Sequence, residues 1–406
     1  IYLEAGSLST GFAGIEAIRR ELEDFKDSGK FIVSYGDYYT QGAYYLCSVA
    51  DSVFLNPQGS VSLVGLASQG LFFTGLAEKI GVEHYIFKVG TYKSAVEPFF
   101  LKKFSDANRE QLTSFLGSVW GNLTTAIEKS RNISSDELDR YLNEGLAMGQ
   151  APNAVDYKLA DGLRYRYEVE NCVKEMAGQD VKGKLKTAGV DKIVSIKVKE
   201  KENKNKIAVL YAEGEIRDED SSSPFSADEH VISEEMANKL RKLKDDDDVK
   251  AVVFRVNSPG GSAYISEQIW KEVVELKAKK PIVVSMGNYA ASGGYYISCA
   301  ANKIVAERTT LTGSIGVFGV VRNFTGTFDK VGVTTDIVKT NTFADLGDIS
   351  RPMREDEKAL IQRGVEQTYD LFLTRCADGR GMTKAEIDSI GQGRVWTCLL
   401  YTSDAA

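Results

Sequence analysis

One serine in this chain occupies a position that differs between two copies of the same short sequence. The segment GNYAASGGYYIS covers residues 287–298, and a close counterpart, GDYYTQGAYYLC, covers residues 36–47. Ser292 of the later segment is replaced by Gln41 in the earlier one. A serine hydroxyl becomes a nucleophile once a base removes its proton. The difference between the copies therefore marks Ser292 as a candidate nucleophile.

One lysine shows the opposite difference. GTYKSAVEPFF (90–100) contains Lys93, and the later copy has Ala344 at the equivalent position. A solvated lysine is protonated at pH 7, so it acts as a base only where burial or nearby cations lower its pKa by about three units. The apolar residues flanking Lys93 suit such a site. We interpret Lys93 as the general base for Ser292, and the sequence leaves open whether the two meet within one chain or between chains.

A glycine pair suggests a third part of a hydrolytic site. VNSPGGS (256–262) follows a predicted strand and precedes a predicted helix, where glycines let backbone N–H groups approach a ligand closely. We expect the amides of Gly261 and Gly293 to bind a tetrahedral oxyanion, aided by the positive potential at the start of a helix. The earlier copy lacks this glycine pair over residues 6–10. Only the later copy is therefore expected to stabilise an oxyanion.

Each of these features also has a purely structural interpretation. A serine before two glycines commonly caps a helix, an isolated lysine commonly lies at the surface, and Ser-Pro-Gly forms turns without catalysis. Ser258, Ser262 and Ser314 are further hydroxyls that could be proposed. The combination favours catalysis, because the serine and the glycine pair occur in one copy and the lysine only in the other.

The elements that position these residues belong to a long internal repeat. Shifting the chain by 251 positions aligns about 90 residues without a gap, which indicates two copies of one domain. In the later copy the predicted strands are residues 207–216, 249–258, 281–288 and 303–310, and the predicted helices are residues 263–280 and a segment beginning near Ser292. Strands that alternate with helices predict an α/β fold with largely buried sheets.

The repeat also predicts the domain organisation. We expect an N-terminal domain that carries the lysine (1–165), a polar, lysine-rich connection (166–206), a C-terminal domain that carries the serine (207–397) and a tail (398–406). Ile1 opens inside a predicted strand, so we expect the first domain to lack its beginning. The tail CLLYTSDAA is interpreted as non-native sequence.

Composition excludes several other classes of protein. A net charge of −7 and a pI near 5.3 do not suit a nucleic-acid-binding surface. Five cysteines without a CxxC pair indicate neither a zinc site nor a disulfide framework, and two histidines leave few candidates for a histidine-based triad. No cofactor or metal is suggested, and no apolar run reaches the roughly 18 residues needed to span a bilayer.

With these residues in view, the chain resembles the bacterial signal peptide peptidase A family, in its long, duplicated form, among the S49 serine peptidases. The segments that carry the resemblance are TYKSAVEPF, VNSPGGS, GNYAASGGYYI and TGSIGVFG. The resemblance implies two tandem ClpP/crotonase-like domains from an internal duplication. It implies Ser292 as nucleophile, Lys93 as general base, Gly261 as an oxyanion donor and Ser314 as the residue that holds the lysine amine.

The resemblance also implies partners and a location. It implies hydrophobic peptide substrates such as released signal peptides, bound in extended form. It further implies a homo-oligomer, a tetramer in the family, at the bacterial inner membrane with the catalytic part in the periplasm. The family's membrane anchor is absent from this sequence and is expected in the full-length protein.

Two other functions remain open from the sequence. A crotonase-type acyl-CoA enzyme would use paired backbone amides for a thioester oxyanion, but it would need acid/base carboxylates and no serine nucleophile. A non-catalytic scaffold would bind apolar peptides without turnover and would not require Lys93. Binding of CoA thioesters and sensitivity to loss of Lys93 would distinguish these functions from a peptidase.

Overall fold

The fold is that of a computed structural model, which describes residues 1–145, 150–196, 204–218 and 230–399. In chain order its elements are β1 (Tyr2–Glu4), α1 (Phe12–Asp27), β2 (Val33–Gly36), α2 (Gln41–Cys47), β3 (Ser52–Leu55), α3 (Thr74–Ile80), β4 (Glu83–Val89), a 3₁₀ helix (Glu97–Phe99), α4 (Asp106–Arg131), α5 (Ser135–Asn143), α6 (Ala151–Asp156), β5 (Gly162–Leu163), α7 (Arg166–Met176), α8 (Val190–Val194), β6 (Lys206–Glu213), β7 (Glu215–Ile216), β8 (Val231–Ile232), α9 (Glu235–Asp245), β9 (Val249–Ser258), α10 (Ala263–Lys279), β10 (Ile282–Ala291), α11 (Gly293–Tyr296), β11 (Lys303–Val305), β12 (Leu311–Gly313), β13 (Val317–Asn323), α12 (Thr325–Val331), α13 (Glu355–Arg380), α14 (Lys384–Ile390) and β14 (Val395–Thr397).

These elements form two compact units. Unit 1 comprises the described residues of 1–66 and 118–204, and unit 2 those of 67–117 and 205–406. The division differs from the domains expected from the repeat, because residues 67–117 of the first copy, including Lys93, belong to unit 2. Both proposed reacting side chains are therefore in unit 2.

Unit 1 is built on a four-stranded parallel sheet in the order β1-β2-β3-β5. Strand β2 is buried along its whole length, as expected for a parallel strand that is covered on both faces. Helix α7 lies in the stretch predicted as a connection, and its Val169 and Val173 pack against Val33, Tyr35 and Phe54. The first part of that stretch is thus packed onto the sheet.

Unit 2 contains a larger sheet in the order β14-β12-β10-β9-β6, with β11 also paired to β10. All its pairs are parallel except β12 with β14. Helix α10 packs on this sheet because Ile265, Ile269, Val273 and Leu276 recur on one helix face, and all four are fully buried. Burial of each such side chain contributes roughly 1.5–3 kcal/mol. The result is a rigid platform beneath the ends of β9, β10 and β12.

Most of the predicted elements of the later copy are confirmed, with two differences. Strand β9 spans residues 249–258 as predicted, and α10 covers 263–279. The strand predicted over 207–216 is divided into β6 and β7 by Gly214, whose φ of +101° takes the chain out of the strand. The strand predicted over 303–310 ends at Val305, because Glu307 and Thr310 close a turn through two hydrogen bonds.

An antiparallel ribbon completes the region around the candidate site. Strand β4 pairs with β13 in unit 2, from Val317 opposite Val89 to Asn323 opposite Glu83. Among the described helices, none combines the length and the apolar composition needed to cross a membrane.

Candidate active site

Ser292 lies at the point where β10 ends and α11 begins. Its backbone has φ 53° and ψ −120°, a conformation that is uncommon for any residue other than glycine and that often marks a functional position. The amide of Ser292 donates to the carbonyl of Gly313, the last residue of β12, at 2.9 Å. The sharp turn leaves the Ser292 hydroxyl outside the helix, and its side chain makes no capping hydrogen bond. Ser292 thus occupies the N-cap position of α11 without capping the helix through its side chain.

Lys93 lies in the loop between β4 and the 3₁₀ helix, with only 4% of its surface exposed. Its amine is 3.2 Å from the Ser292 hydroxyl, 3.0 Å from the Ser314 hydroxyl and 3.1 Å from the Ser314 carbonyl. The Phe318 ring lies 5.8 Å from the same nitrogen. The structure thus brings Lys93 and Ser292 together within one chain, which the sequence could not establish.

The electrostatic surroundings of Lys93 favour a neutral amine. Burial lowers the pKa of Lys93 to about 8, since the charged form loses its hydration. Within the part of the chain that the structure describes, no carboxylate forms an ion pair with this amine to oppose the effect. A substantial neutral fraction is therefore present at mildly alkaline pH.

Ser314 and two glycines fix the lysine side chain. Ser314 has a φ of 51°, and its amide donates to the carbonyl of Arg394 at 2.6 Å. A Cβ on Gly393 would lie 2.6 Å from the Cβ of Lys93, and a Cβ on Gly316 would lie 3.1 Å from its Cδ. The lysine stem therefore runs through a channel that only glycine backbones leave open.

Gly261 and Gly293 present two backbone amides close together. The position of a Cβ on Gly293 would lie 3.2 Å from the Gly261 nitrogen. Gly261 has a φ of +147°, and a Cβ there would lie 2.0 Å from the carbonyl oxygen of Ile216. Neither amide donates to an acceptor among the described residues. Both are thus available to a ligand beside Ser292.

A cavity of about 460 Å³ opens over these groups. Its lining includes Lys93, Ser292, Gly261 and Gly293 together with the apolar side chains of Ile216, Val317, Phe318 and Phe372. Charged residues Glu215, Arg217 and Asp218 also line it. A volume of this size suits a few residues of a peptide better than a whole folded partner.

Two known protein families match this chain. Residues 24–180 and 274–399 match Peptidase family S49, and residues 223–315 match the Clp protease family. The chain belongs to peptidase family S49. The two matched S49 regions correspond to the two copies of the repeat, so the predicted α/β fold with duplicated ClpP-like domains is confirmed.

Several curated proteins are similar to this S49 chain. Protease 4 of Haemophilus influenzae is 38% identical over 394 residues, and Protease 4 of Salmonella typhi is 38% identical over 387 residues; each alignment covers 94% of this chain. The chloroplastic serine protease SPPA of Arabidopsis thaliana is 33% identical over 403 residues, or 98% of this chain. The chain spans 63%, 62% and 59% of the lengths of these three relatives.

The counterpart of Ser292 in the first S49 copy has a structural role. In unit 1 the carbonyl oxygen of the Gln41 side chain accepts from the amides of Val64 and Gly65, at 3.2 and 3.0 Å, and its amide group donates to the Gly65 carbonyl at 3.3 Å. Gly65 is the repeat equivalent of Gly316. Gln41 thus secures a loop in the first copy at the position where the second copy has the Ser292 hydroxyl.

The alternative serines of the sequence are also accounted for. The fully buried Ser258 hydroxyl accepts from the Gly260 amide at 3.1 Å, which shapes the glycine turn. The Ser262 hydroxyl caps α10 by accepting from Ile265 at 3.4 Å. The structure assembles no group of three or more potential metal ligands from the residues it describes.

Gly316 and Gly393 were not predicted to belong to the site. Gly316 lies in TGSIGVFG and Gly393 begins GRVWT (393–397), but nothing local in the sequence distinguishes either from an ordinary turn glycine. Their importance follows from their contact with Lys93, more than 200 residues away along the chain.

Proposed function

We propose that this chain is a serine peptidase in which Ser292 attacks the peptide carbonyl and Lys93 acts as general base. The observation that carries the proposal is a buried amine 3.2 Å from the Ser292 hydroxyl with a pKa of about 8. A base with a pKa near the working pH is effective in proton transfer. The family membership and the names of the relatives support the same reaction class.

The proposed reaction uses one proton twice. As the Ser292 oxygen bonds to the carbonyl carbon, its proton moves to neutral Lys93, and the amides of Gly261 and Gly293 bind the oxyanion. The Lys93 ammonium then gives that proton to the departing amine as the C–N bond breaks, leaving an ester on Ser292. Lys93 next takes a proton from a water whose oxygen bonds to the ester carbonyl carbon, and it gives that proton to the Ser292 oxygen as the ester C–O bond breaks. This releases the acid product and restores the Ser292 hydroxyl and the neutral amine. Ser314 accepts a hydrogen bond from the amine throughout and orients it toward Ser292.

The proposed substrates are hydrophobic peptides such as cleaved signal peptides. The apolar walls at Ile216, Val317, Phe318 and Phe372 support this class. Such peptides are bound most simply in extended form, with backbone hydrogen bonds for affinity and pockets for alternate side chains.

The proposal includes a homo-oligomer at the bacterial inner membrane, with the site in the periplasm. The tetramer and this location rest on the family resemblance.

The deciding experiment is hydrolysis of a hydrophobic, signal-peptide-like substrate by the parent, Ser292→Ala and Lys93→Ala. We expect cleavage by the parent and none by the two variants, with circular dichroism showing that all three are folded. Ser389→Ala is the matched control, since that hydroxyl only donates to the Glu386 carbonyl at 2.7 Å on an exposed part of α14. Binding of peptide without cleavage would favour the scaffold, and binding of CoA thioesters would favour an acyl-CoA enzyme.

A further inference from the structure

The position of Lys93 depends on a loop, because residues 90–96 are outside any strand or helix. A catalytic base must be held within a fraction of an ångström to act efficiently, since small displacements cost large factors in rate. Contacts that fix this loop are therefore part of the site even where they do not touch the substrate.

Gln111, in the second turn of α4, makes such contacts. Only 3% of the surface of Gln111 is exposed. Its side-chain nitrogen lies 3.0 Å from the Tyr92 carbonyl and 3.0 Å from the Ser94 hydroxyl, on the two sides of Lys93. It also lies 3.0 Å from the side-chain oxygen of Asn108, and an NH₂ group with two hydrogens can serve two of these three acceptors at a time.

The other end of the Gln111 amide reaches the strand that fixes Ser314. Its oxygen accepts from the amide of Val395, the first residue of β14, at 3.2 Å. The neighbouring Arg394 carbonyl accepts from the Ser314 amide. One side chain thus connects the loop that carries the base to the backbone that positions the base's hydrogen-bond acceptor.

A buried polar chain holds Gln111 itself in place. Asn108, 6% exposed, donates from its side-chain nitrogen to the Glu97 carboxylate at 2.9 Å. Glu97, 1% exposed, also accepts from the Ser105 hydroxyl and from the Ser105 amide. Glu97 begins the 3₁₀ helix that follows the Lys93 loop, so the network joins both ends of the loop to α4.

We propose that Gln111 is a positioning residue for Lys93: it keeps the amine within hydrogen-bond distance of both Ser292 and Ser314 and keeps the loop closed against water. This inference rests on the proposed function, because it assigns Gln111 a role through the base. It predicts that loss of the Gln111 amide misplaces and hydrates Lys93 without disturbing the substrate cavity, whose lining does not include Gln111.

The charged and titratable groups around Lys93 determine how a pH profile is interpreted. They are Lys88 of β4, Tyr92 and Glu97 of its own segment, Glu110 of α4, Arg394 before β14, and Glu215, Arg217 and Asp218 on the cavity lining. Gln111→Leu and Gln111→Met leave all of these groups unchanged. A shift of the profile in these variants therefore reports the hydration of Lys93.

The test measures kcat, KM and the pH dependence of kcat/KM for a hydrophobic peptide with the parent, Gln111→Leu and Gln111→Met. We expect kcat to fall by about tenfold to a hundredfold, as for a displacement of about 1 Å, with KM nearly unchanged. We expect the apparent pKa of the profile to rise toward that of a solvated lysine. Gln362→Leu is the control, since it removes a similar amide that bonds only to Glu366 on α13.

The outcomes separate this inference from the proposed function. An inactive parent, or an active Ser292→Ala variant in the same assay, would count against the peptidase itself. An active parent whose folded Gln111 variants keep its kcat and pH profile would overturn only the positioning role. A fall in thermal stability with an unchanged pH profile would also overturn it, because that pattern is what a purely structural residue gives. If Gln111→Leu does not fold, the unbranched Gln111→Met, of the same length, decides.

Discussion

At the scale of single residues, Lys93 must meet two opposing requirements in its proposed role as general base. It has to be dry enough to lose its proton near neutral pH, yet an amine in a dry site needs hydrogen-bond partners. The structure meets both with hydroxyls and a carbonyl, from Ser292 and Ser314, and with no ion-paired carboxylate among the described residues. A carboxylate in that place would hold the amine protonated and remove its basicity.

The lowered pKa of Lys93 predicts how activity depends on pH. Only the neutral amine can accept the Ser292 proton, so kcat/KM should rise about tenfold per pH unit below a pKa of about 8 and level off above it. The measurement is kcat/KM for a hydrophobic peptide from pH 5 to 10.

Lys93→Arg should show no activity at any of these pH values, because guanidinium keeps its proton. A parent profile that is flat between pH 5 and 7 would remove lysine from the mechanism. Near-normal turnover by Lys93→Arg would do the same.

At the scale of elements, three neighbouring strands place the reacting groups. Ala291 of β10 pairs with Gly313 of β12, which in turn pairs with Val395 of β14. Ser292 and Ser314 each follow one of these paired residues, and both turn off their strands with positive φ, 53° and 51°. The two hydroxyls therefore lie close together at the carboxyl ends of β10 and β12, where the loop that carries Lys93 reaches them.

Gly393, which precedes β14, offers a test of how closely the backbone must pack around Lys93. Gly393→Ala should cost activity severely, because its Cβ would lie 2.6 Å from the Lys93 backbone nitrogen and Cβ. Gly381→Ala is the matched control: it has a similar φ, +68° against +76°, but its Cβ would meet no atom within 4 Å.

Both substitutions place an alanine in the left-handed region, at a cost of roughly 1–2 kcal/mol. Thermal unfolding should therefore show some destabilisation in both variants. Hydrolysis should be lost only in Gly393→Ala. Equal activity of the two variants would show that the lysine channel tolerates the added methyl group.

At the scale of the whole molecule, two segments lack the strand pairing that their equivalents in the other copy of the repeat make. Strand β4 pairs with β13, but the repeat equivalents of these strands, residues 334–340 and 66–72, form no strand in the described structure. Residues 331–340 are all exposed and include Val338 at 97% exposure. An exposed, unpaired segment of this kind is a template for another chain.

We predict that, in the proposed homo-oligomer, residues 66–72 of one chain pair with residues 334–340 of the next. In β4 and β13, Phe87 lies opposite Gly319 and Ile86 lies opposite Val320. The same register, applied to the repeat equivalents of these residues, places Ser68 opposite Val338 and Gln69 opposite Ile337. Such a head-to-tail contact generates a ring if its rotation closes. Ser68→Cys with Val338→Cys, and Gln69→Cys with Ile337→Cys, should form intermolecular disulfides under mild oxidation, seen as a ladder on a non-reducing gel.

The control for this prediction is a mismatched pair, Ser68→Cys with Thr334→Cys, together with each single cysteine variant. Equal cross-linking by matched and mismatched pairs would indicate random collision. A chain that is monomeric in solution by light scattering, with no cross-linking, would contradict the pairing.

Much of the fold could be predicted from the sequence because its signals are local. The apolar pattern of β9, the helical spacing in α10 and the 251-residue repeat are all legible in the chain. One difference from the prediction is also local: Gly214 divides the strand predicted over 207–216 into β6 and β7, since its positive φ takes the chain out of the strand.

The sequence by itself determined which residue types were available for chemistry: a serine and glycine pair in one copy and a lysine in the other. Only the tertiary structure decided that Lys93 and Ser292, 199 positions apart, lie in one compact unit at hydrogen-bond distance. It also decided that the Ser258 and Ser262 hydroxyls bond to nearby backbone amides, that Gln111 bonds to both neighbours of Lys93, and that Gly393 packs against the lysine itself. The reason is that local patterns specify strands and helices, whereas the pKa and reach of a side chain depend on packing between segments remote in sequence.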